Sequence, residues 1–306
     1  MVTAYQKKQN GQLKRPYWYA RYKLANGKSA YISRGLIKKR EVRRLANITM
    51  IKKIKRKLKS ILRSQSTDDA LKLLNEEDRE LITKIKESRL TYLSNAKLTS
   101  LVRTVRTIEN SEIPGGIIEA GCALGGSAIL LAKLKNSQRP LRVYDVFGMI
   151  PPPTEDDTLD VHKRYKKIVS GNSKGLSGDK YYGYEDDLYN KVLINFSSFD
   201  LTPKKGELEL FKGLVQDTLV VSESVSIAHI DVDWYDPVMT CLERIYPMLS
   251  IRGSIILDDY HDWGGCRKAT DEYLRRVVGT FKMDDSAGSM KITRIKGDAV
   301  KDNKLL

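Results

Sequence analysis

Two pairs of aspartates stand where a parallel sheet would bring them together. Asp231 and Asp233 follow the apolar run SIAHI, and Asp258 and Asp259 follow the apolar run SIIL. A single helix-length segment separates the pairs, so a right-handed β-α-β connection would place both at one edge of a sheet. Carboxylates on neighbouring strands, roughly 5 Å apart, repel each other unless a cation lies among them or some are protonated. Oxygen ligands alone favour a hard cation, Mg²⁺ before Mn²⁺ or Ca²⁺. The alternative is that these aspartates simply cap helices.

A glycine-bearing turn upstream has the features of a ligand-binding loop. The stretch IIEAGCALGGS predicts a strand, a turn containing Gly121 and Gly125, and then a helix. Glycines let backbone approach a ligand, and a helix N-terminus offers free N–H groups. The turn therefore indicates a nucleotide-like ligand at the end of the first strand, although a structural turn uses similar glycines. It matches neither the G-x-G-x-x-G fingerprint nor a P-loop. Asp145 ends the next strand, where it would accept both hydroxyls of a ribose or cap a turn.

Strand–helix alternation supplies the scaffold that these residues need. It predicts an α/β fold with a doubly wound, mostly parallel sheet. The predicted strands are Gly116–Gly121, Leu141–Phe147, Leu208–Lys212, Ser226–Asp231 and Ser254–Leu257, and the predicted helices are 75–90, 95–110, 126–136, 237–249 and 265–278. Residues 160–190 depart from this pattern because they are polar and rich in tyrosine. We interpret them as a lid or substrate-binding insertion.

The strongly basic character of the chain belongs to its N-terminal part. The net charge is +16, yet residues 1–66 contain 20 Lys and Arg and a single acid, Glu41, which makes the remainder slightly acidic. We expect a basic extension over 1–48, with a β-hairpin of Tyr17–Lys23 and Ser29–Ser33 around an Asn-Gly turn, and a catalytic domain over 49–306. An amphipathic helix predicted over Met50–Arg63 either packs on that domain or binds a membrane or polyanion.

The composition argues against a membrane-spanning protein, a disulfide-stabilised protein and a zinc site. The apolar runs are far shorter than the roughly 20 residues of a membrane-spanning helix, and the three cysteines are too few and too scattered for a disulfide framework or a zinc site. We therefore expect a cytoplasmic protein with no transmembrane segment.

From about Leu90 to Lys296 the chain resembles the macrocin O-methyltransferases (TylF/MycF-like). The resemblance lies in the segments KLTSLVRTVRTIENSEIPGGIIEAGCALGGS, YDVFGMIPPP, NKVLINFSSFDL, GLVQDTL, HIDVDWYDPVMTCLERIYPMLSIRGSIILDDY and CRKATDEY, whose order and spacing fit throughout. It implies a Rossmann-like class I methyltransferase fold with a seven-stranded sheet. It also implies methylation of a sugar or glycoside hydroxyl of a natural product, with S-adenosylmethionine and Mg²⁺ as cofactors.

The resemblance assigns a role to most of the candidate residues. It implies that Asp231, Asp258 and Asp259 are the metal ligands and that Asp233 is the general base, with strand-like alternation placing Asp231 and Asp233 on one side. The position of His261, two residues after Asp259, makes it either a second candidate base or a loop histidine with no mechanistic role, and His229, inside a strand, is interpreted as structural; neither assignment comes from the resemblance. The positions that line the cosubstrate are Glu119, Gly121, Ser127, Asp145, Gln216 and Asp217, and the glycine turn adds Gly125.

Other functions stay open at this point. Catechol O-methyltransferases, which share a three-ligand metal site, place a lysine near the metal. The corresponding stretch Asp233–Tyr235 has none, which favours an aliphatic hydroxyl over a phenol. The basic N-terminal hairpin is similar to hairpins of DNA-associated proteins and leaves a nucleic-acid methyltransferase as an alternative, although the body of the chain is acidic and has no N/D-P-P-Y/F motif. A non-catalytic scaffold would be expected to lack some of the aspartates. A homo-oligomer is also left open.

Overall fold

A computed structural model describes residues 2–6, 18–23, 29–32, 69–277 and 281–296. The chain divides into two compact units, Met1–Ser66 and Thr67–Leu306, and each is described by itself. Across the described residues there is no helix that is both long and apolar enough to cross a membrane.

The first unit contains a three-stranded antiparallel sheet in the order β1-β2-β3. Its strands are β1 (Val2–Gln6), β2 (Trp18–Lys23) and β3 (Ser29–Ile32). Strands β2 and β3 form the two arms of the predicted hairpin and pair Arg21 with Tyr31. Strand β1, which the sequence analysis did not anticipate, pairs Thr3 with Arg21 on the other side of β2. The Asn-Gly turn and the helix predicted over Met50–Arg63 lie outside the described residues.

The second unit alternates strands and helices around one seven-stranded sheet. Its helices are α1 (Glu76–Glu87), α2 (Asn95–Asn110), α3 (Gly126–Leu134), α4 (Leu159–Val169), α5 (Leu188–Ser197), α6 (Val215–Thr218), α7 (Tyr235–Ile245) and α8 (Gly264–Arg276). Its strands are β4 (Gly116–Ala120), β5 (Leu141–Asp145), β6 (Leu208–Lys212), β7 (Val225–Ile230), β8 (Leu249–Leu257), β9 (Phe281–Asp284) and β10 (Met290–Arg294).

The strand order is β6-β5-β4-β7-β8-β10-β9. Strands β4 to β8 pair in parallel with one another, and β10 pairs antiparallel with both β8 and β9. The predicted doubly wound, mostly parallel sheet is confirmed. Because β5 and β7 flank β4, the chain winds in opposite directions on the two sides of β4. This reversal marks the place where an open α/β sheet binds its ligand.

Two apolar layers cover the central strands. Helices α1, α2, α3 and α5 bury one face together with Ile117 and Ile227, while α7 and α8 bury the other together with Ile118 and Ile230. Successive residues of a strand point to opposite faces, and all residues of β4 and β7 are buried. This double burial explains why these strands are continuous apolar runs rather than alternating ones.

Two elements differ from their predicted form. Strand β8 starts at Leu249, not at Ser254, because the pairing of β7 with β8 continues past a register shift that leaves residues 250–253 opposite Ser226 alone. The segment 160–190 contains most of helix α4, two short 3₁₀ turns (Leu176–Gly178 and Tyr182–Tyr184) and the start of α5. Its interpretation as a lid stays a prediction.

Candidate active site

The carboxyl ends of three neighbouring strands form the floor of the site. Ala120, Ile230 and Leu257 occupy one row of the sheet, so the residues that follow them lie side by side. Asp231 N–H donates to the Ala120 carbonyl at 2.8 Å, and Asp258 N–H donates to the Ile230 carbonyl at 3.0 Å. The sheet itself thus brings the two aspartate pairs to one edge, as the β-α-β connection predicts.

Gly121 lets the turn after β4 approach β7. Its φ is +84°, and a β-carbon at this position would collide with the carbonyl oxygen of Asp231. Gly125 also has a positive φ of +89°, and a β-carbon there would lie 2.9 Å from the ring of Phe196. Gly121 therefore shapes the site itself, whereas Gly125 serves the packing of helix α3 against α5.

Asp145 folds the glycine turn around its carboxylate. Its Oδ2 accepts hydrogen bonds from Cys122 N–H at 2.7 Å and Ala123 N–H at 3.2 Å, and its Oδ1 accepts one from Phe147 N–H at 2.7 Å. Burial raises the pKa of Asp145, while these amide donors act in the opposite direction. The residue performs the turn-capping role that the sequence left as one of two alternatives. Its contact with a ribose stays a prediction.

Glu119 and His229 form a buried pair between β4 and β7. His229 Nδ1 lies 3.1 Å from Glu119 Oε1, and both side chains are almost fully buried. Burial alone would lower the pKa of His229, but its hydrogen bond with Glu119 and the nearby carboxylates raise it overall. This structural role fits His229 as interpreted. Glu119 lines neither of the cavities described below, but its Oε2 is buried without a hydrogen-bond partner among the described residues. Its contact with the cosubstrate stays a prediction.

Three carboxylates converge at the sheet edge. Asp231, Asp233 and Asp259 each present an oxygen atom within 4.8 Å of the others. Removal from water, and then the charge of the neighbouring carboxylates, raise the pKa values of Asp231 and Asp259 well above the ordinary range. The same two causes, with Asp231 as the neighbour, raise the pKa of Asp233 to about 7. The cluster is therefore poised to bind protons or a cation.

Asp233 reaches this cluster from a strained turn. Strand β7 ends at Ile230, Asp233 has a φ of +56°, and Trp234 N–H donates to the Val232 carbonyl at 2.6 Å. This is a γ-turn centred on a left-handed aspartate, a conformation that costs energy. The predicted strand-like alternation from Asp231 to Asp233 is wrong. The two carboxylates meet because the backbone turns at Asp233.

Asp258 is bound by a lysine that the sequence analysis missed. Lys97 Nζ lies 2.8 Å from Asp258 Oδ2 and 3.1 Å from Asp262 Oδ2. The other oxygen, Asp258 Oδ1, is buried and has no hydrogen-bond partner among the described residues. The structure therefore brings Asp231 and Asp259 together with the predicted base Asp233. Asp258 lies beside them and is paired with the ammonium group of Lys97.

His261 has its contacts outside the cluster of Asp231, Asp233 and Asp259. Its Nε2 lies 3.1 Å from Asp285 Oδ2, in the turn between β9 and β10, and its ring meets the Tyr260 ring edge-on. It belongs to the wall of neither cavity, and its role as a second base stays a prediction.

Two cavities meet above the carboxylates. The first, with about 720 Å³ of empty space out to its mouth, is lined by the end of β5, the segment 150–152, the segment 213–216 and Asp231–Trp234. The second, with about 750 Å³, is lined by Tyr92, Arg164, Tyr181, Trp263 and the aspartates. The residues common to both walls are Gly121, Asp145, Tyr182, Asp231, Asp233 and Trp234.

Not every predicted cosubstrate residue reaches a cavity wall. Gln216 lines the first cavity, with its buried Oε1 free of any partner among the described residues. Gly125, Ser127 and Asp217 belong to neither wall. A site of two joined cavities with carboxylates at the junction suits the transfer of a group from one ligand to another.

Comparison with known proteins identifies the family. Residues 34–283, well over half of the chain, match the family described as Macrocin-O-methyltransferase (TylF). The chain belongs to this family. It is therefore an O-methyltransferase, and its fold and family make S-adenosylmethionine the methyl donor.

Individual relatives are distant. The chain is 26% identical over 193 residues to demethyldecarbamoylnovobiocin O-methyltransferase of Streptomyces niveus, which covers 60% of this chain and 67% of that protein. It is 26% identical over 197 residues to mycinamicin III 3''-O-methyltransferase of Micromonospora griseorubida, with coverages of 61% and 70%. The solved structure of the O-methyltransferase NovP has a TM-score of 0.56 at 22% identity, covers 68% of this chain and 83% of that one, and shows the same fold.

Several residues of the site of this TylF-family chain were not predicted from the sequence: Lys97, which pairs with Asp258, and the wall residues Tyr92, Arg164 and Trp263. Lys97 and Tyr92 come from segments far from the aspartates, whereas Trp263 follows Asp259 by only four positions and Arg164 belongs to helix α4. One feature of Lys97 was visible in advance: a lysine in the first turn of a helix opposes the helix dipole. Such a position is explained when the lysine has an acidic partner elsewhere.

Proposed function

We propose that this enzyme transfers the methyl group of S-adenosylmethionine to a hydroxyl of a sugar or glycosylated natural product, with a divalent cation, Mg²⁺ first, at the carboxylates. The observation that carries the proposal is the junction of the two cavities at Asp231 and Asp233. An in-line transfer needs donor and acceptor held on opposite sides of one point. The junction supplies such a point.

The first cavity suits the methyl donor. It starts at Gly121, where the turn after β4 passes close to the backbone of Asp231, and reaches the segment that carries Gln216. The unpartnered Oε1 of Gln216 can accept a hydrogen bond from an adenine amino group. Asp145 stands between these points, beside the expected place of the ribose. The cosubstrate role of Gly121, Asp145 and Gln216 is part of the proposal.

The acidic residues fit a hard cation. Asp258 Oδ1 and Asp259 Oδ2 are buried oxygens without a partner among the described residues, and such orphaned oxygens are costly unless a ligand satisfies them. Asp231, Asp258 and Asp259 are the proposed ligands. A cation held by these residues would supply positive charge that makes the acceptor hydroxyl more acidic.

Asp233 is the proposed general base. Removal from water and the charge of Asp231 raise the pKa of Asp233 to about 7 when no cation is bound, which makes its carboxylate a stronger base than an ordinary aspartate. The strained turn at Asp233 holds that carboxylate beside Asp231 and at the junction of the cavities. The proton would pass from the hydroxyl oxygen to an Asp233 carboxylate oxygen while that hydroxyl oxygen attacks the methyl carbon. The bond between the methyl carbon and the sulfur of S-adenosylmethionine would break at the same time, with S-adenosylhomocysteine as the leaving group.

The second cavity suits a sugar. Aromatic rings of Tyr92, Tyr181, Tyr182 and Trp263 line it, and such rings pack on the apolar faces of pyranoses while excluding water. The names of the relatives, a novobiocin-type and a mycinamicin 3'' O-methyltransferase, support an acceptor of this class. The absence of a nearby lysine no longer argues against a phenol, because Lys97 is close. However, its ammonium is already fully hydrogen-bonded to carboxylate and carbonyl oxygens.

The test is methyl transfer from labelled S-adenosylmethionine to a panel of glycosides, phenols and RNA, with Mg²⁺ and with excess EDTA. We expect methyl transfer to a glycoside hydroxyl with Mg²⁺ and none with excess EDTA. Equal transfer in EDTA would contradict the proposed metal dependence. Transfer to phenols or RNA in preference to all glycosides would contradict the proposed acceptor class. A cytoplasmic location belongs to the same proposal and is supported by three free, buried cysteines.

A further inference from the structure

Lys97 brings a positive charge to the carboxylates from a distant part of the sequence. Its ammonium donates to Asp258 Oδ2 at 2.8 Å, to the Asp258 carbonyl oxygen at 3.0 Å and to Asp262 Oδ2 at 3.1 Å. An ammonium group has three donors, so all three are used. The Lys97 side chain is 14% exposed and that of Asp258 is 9% exposed, so the contact is shielded from water and differs from a surface ion pair.

The backbone of Lys97 is fixed as well. Its N–H donates to Oγ of Ser94, the N-cap residue of α2, at 3.2 Å. Its side chain runs past the turn between β9 and β10, where the Lys97 Cε atom lies 3.8 Å from the point that a β-carbon would occupy at Gly288. A lysine in this first turn opposes the helix dipole. The favourable contribution of Lys97 therefore comes from the hydrogen bonds of its ammonium group to Asp258 and Asp262.

The ammonium determines the orientation of the Asp258 carboxylate. Because Lys97 engages Oδ2 and the carbonyl of the same residue, rotation of the carboxylate is restricted. Oδ1 remains, buried and without a partner among the described residues, and Asp258 lines the cavity shared with Asp231 and Asp259. We propose that Lys97 is a positioning residue of the cation site, which holds Asp258 so that Oδ1 is presented to the ion. This inference rests on the proposed metal dependence.

A positioning role and a purely electrostatic role predict opposite results. A positive charge close to a cation site weakens cation binding by repulsion, so removal of that charge alone would strengthen binding. Loss of an orienting partner weakens binding, typically about 10- to 100-fold. The sign of the change in metal affinity therefore tells the two roles apart.

The experiment is calorimetric titration of metal-free full-length protein with Mn²⁺, for the wild type and for Lys97→Met, Lys97→Gln and Lys97→Arg. We expect the Kd for Mn²⁺ to rise about 10- to 100-fold in the Met and Gln variants and to recover in part with Arg. Binding of S-adenosylhomocysteine, measured on the same samples, should stay unchanged. Lys204→Met, which removes an exposed lysine paired with Glu207, is the matched control and should bind Mn²⁺ as the wild type does.

A double-mutant cycle separates positioning from a general loss of structure. In an Asp258→Ala background the orienting partner has nothing to hold, so Lys97→Gln should cause no further loss of Mn²⁺ affinity. Equal or tighter binding by folded Lys97→Met and Lys97→Gln would overturn the inference, as would additive losses in the cycle. If the wild type itself bound no Mn²⁺, the metal dependence of the proposed function would fail, and this inference with it.

Discussion

Asp231 and Asp259 follow two different strands of the sheet, and yet their carboxylates lie within 4.8 Å of each other and of Asp233. Burial and mutual repulsion raise the pKa values of all three. Full ionisation of the three carboxyl groups is therefore unfavourable, and bound protons or a bound cation relieve the repulsion.

The first prediction concerns pH. The folded-state pKa of Asp233 is about 7 against an ordinary value of 3.8, so its protonated form stabilises the fold fully below about pH 4. That stabilisation is lost as the pH rises through 7. Metal-free protein should therefore have a higher Tm at pH 5.5 than at pH 8, and Mg²⁺ should raise the Tm more at pH 8. Scanning calorimetry of wild type and Asp233→Asn measures this. The variant should show a flatter profile, and a metal-free Tm that increases from pH 5.5 to pH 8 would contradict the prediction.

The second prediction separates base from ligand. Asp233→Asn should bind Mn²⁺ and S-adenosylmethionine yet lose turnover by roughly 10²- to 10⁴-fold, because it lacks the group that removes the proton. Asp258→Asn should lose Mn²⁺ affinity. Calorimetry and single-turnover rates provide the two readouts. The reverse result, with metal lost in Asp233→Asn and kept in Asp258→Asn, would make Asp231, Asp233 and Asp259 the ligand set.

The third prediction concerns Gly121. A β-carbon there would collide with the Asp231 carbonyl, and the φ of +84° adds a penalty of about 1–2 kcal/mol for any L-residue. Gly121→Ala should lower stability by more than this penalty and weaken S-adenosylmethionine binding. Gly206→Ala is the matched control, since its φ is +81° and nothing lies within 4 Å of the added carbon. Equal losses in urea unfolding of the two variants would refute the close approach.

The fourth prediction assigns the cavities. Trp263 lines the second cavity and Leu214 the first. Trp263→Ala should raise the KM for the acceptor, by about 3- to 10-fold if a few tenths of its apolar surface are lost from the contact, and leave cosubstrate binding intact. Leu214→Ala should have the opposite pattern. The same pattern in both variants would show that the cavities do not divide donor from acceptor.

The fifth prediction concerns the basic N-terminal segment. A chain that begins at Met50 should keep methyl transfer to a small hydroxylated acceptor, because the cavities and carboxylates belong to the second unit. Transfer rates of the two chain lengths on one glycoside give the answer. Activity that disappears on truncation of the chain, or that depends on added DNA or RNA, would favour the nucleic-acid alternative.

The sequence alone predicted the parallel sheet and several of the residues at its carboxyl edge. The sequence has apolar runs that end in aspartates, with helix-length segments between them. A β-α-β connection of this kind is almost always right-handed, so the aspartates lie at the same edge of the sheet. Asp231 and Asp258 were therefore predictable as neighbours, and the strand order confirms it. The glycine at position 121 was also predictable, since a turn from a central strand into a helix needs close backbone approach.

The tertiary structure decided how the carboxylates are used. Asp233 joins Asp231 through a left-handed turn that no period-2 pattern predicts, because a single backbone dihedral angle overrides the alternation of a strand. Lys97 is 161 positions away from Asp258, and a contact between such distant positions depends on how α2 packs at the end of β8. Likewise, Glu119 contacts His229 because the two residues are register partners on the neighbouring strands β4 and β7, with both side chains buried on the same face of the sheet. Residue types and their order determined the fold and the family, whereas the partner of each charged group was settled by three-dimensional packing.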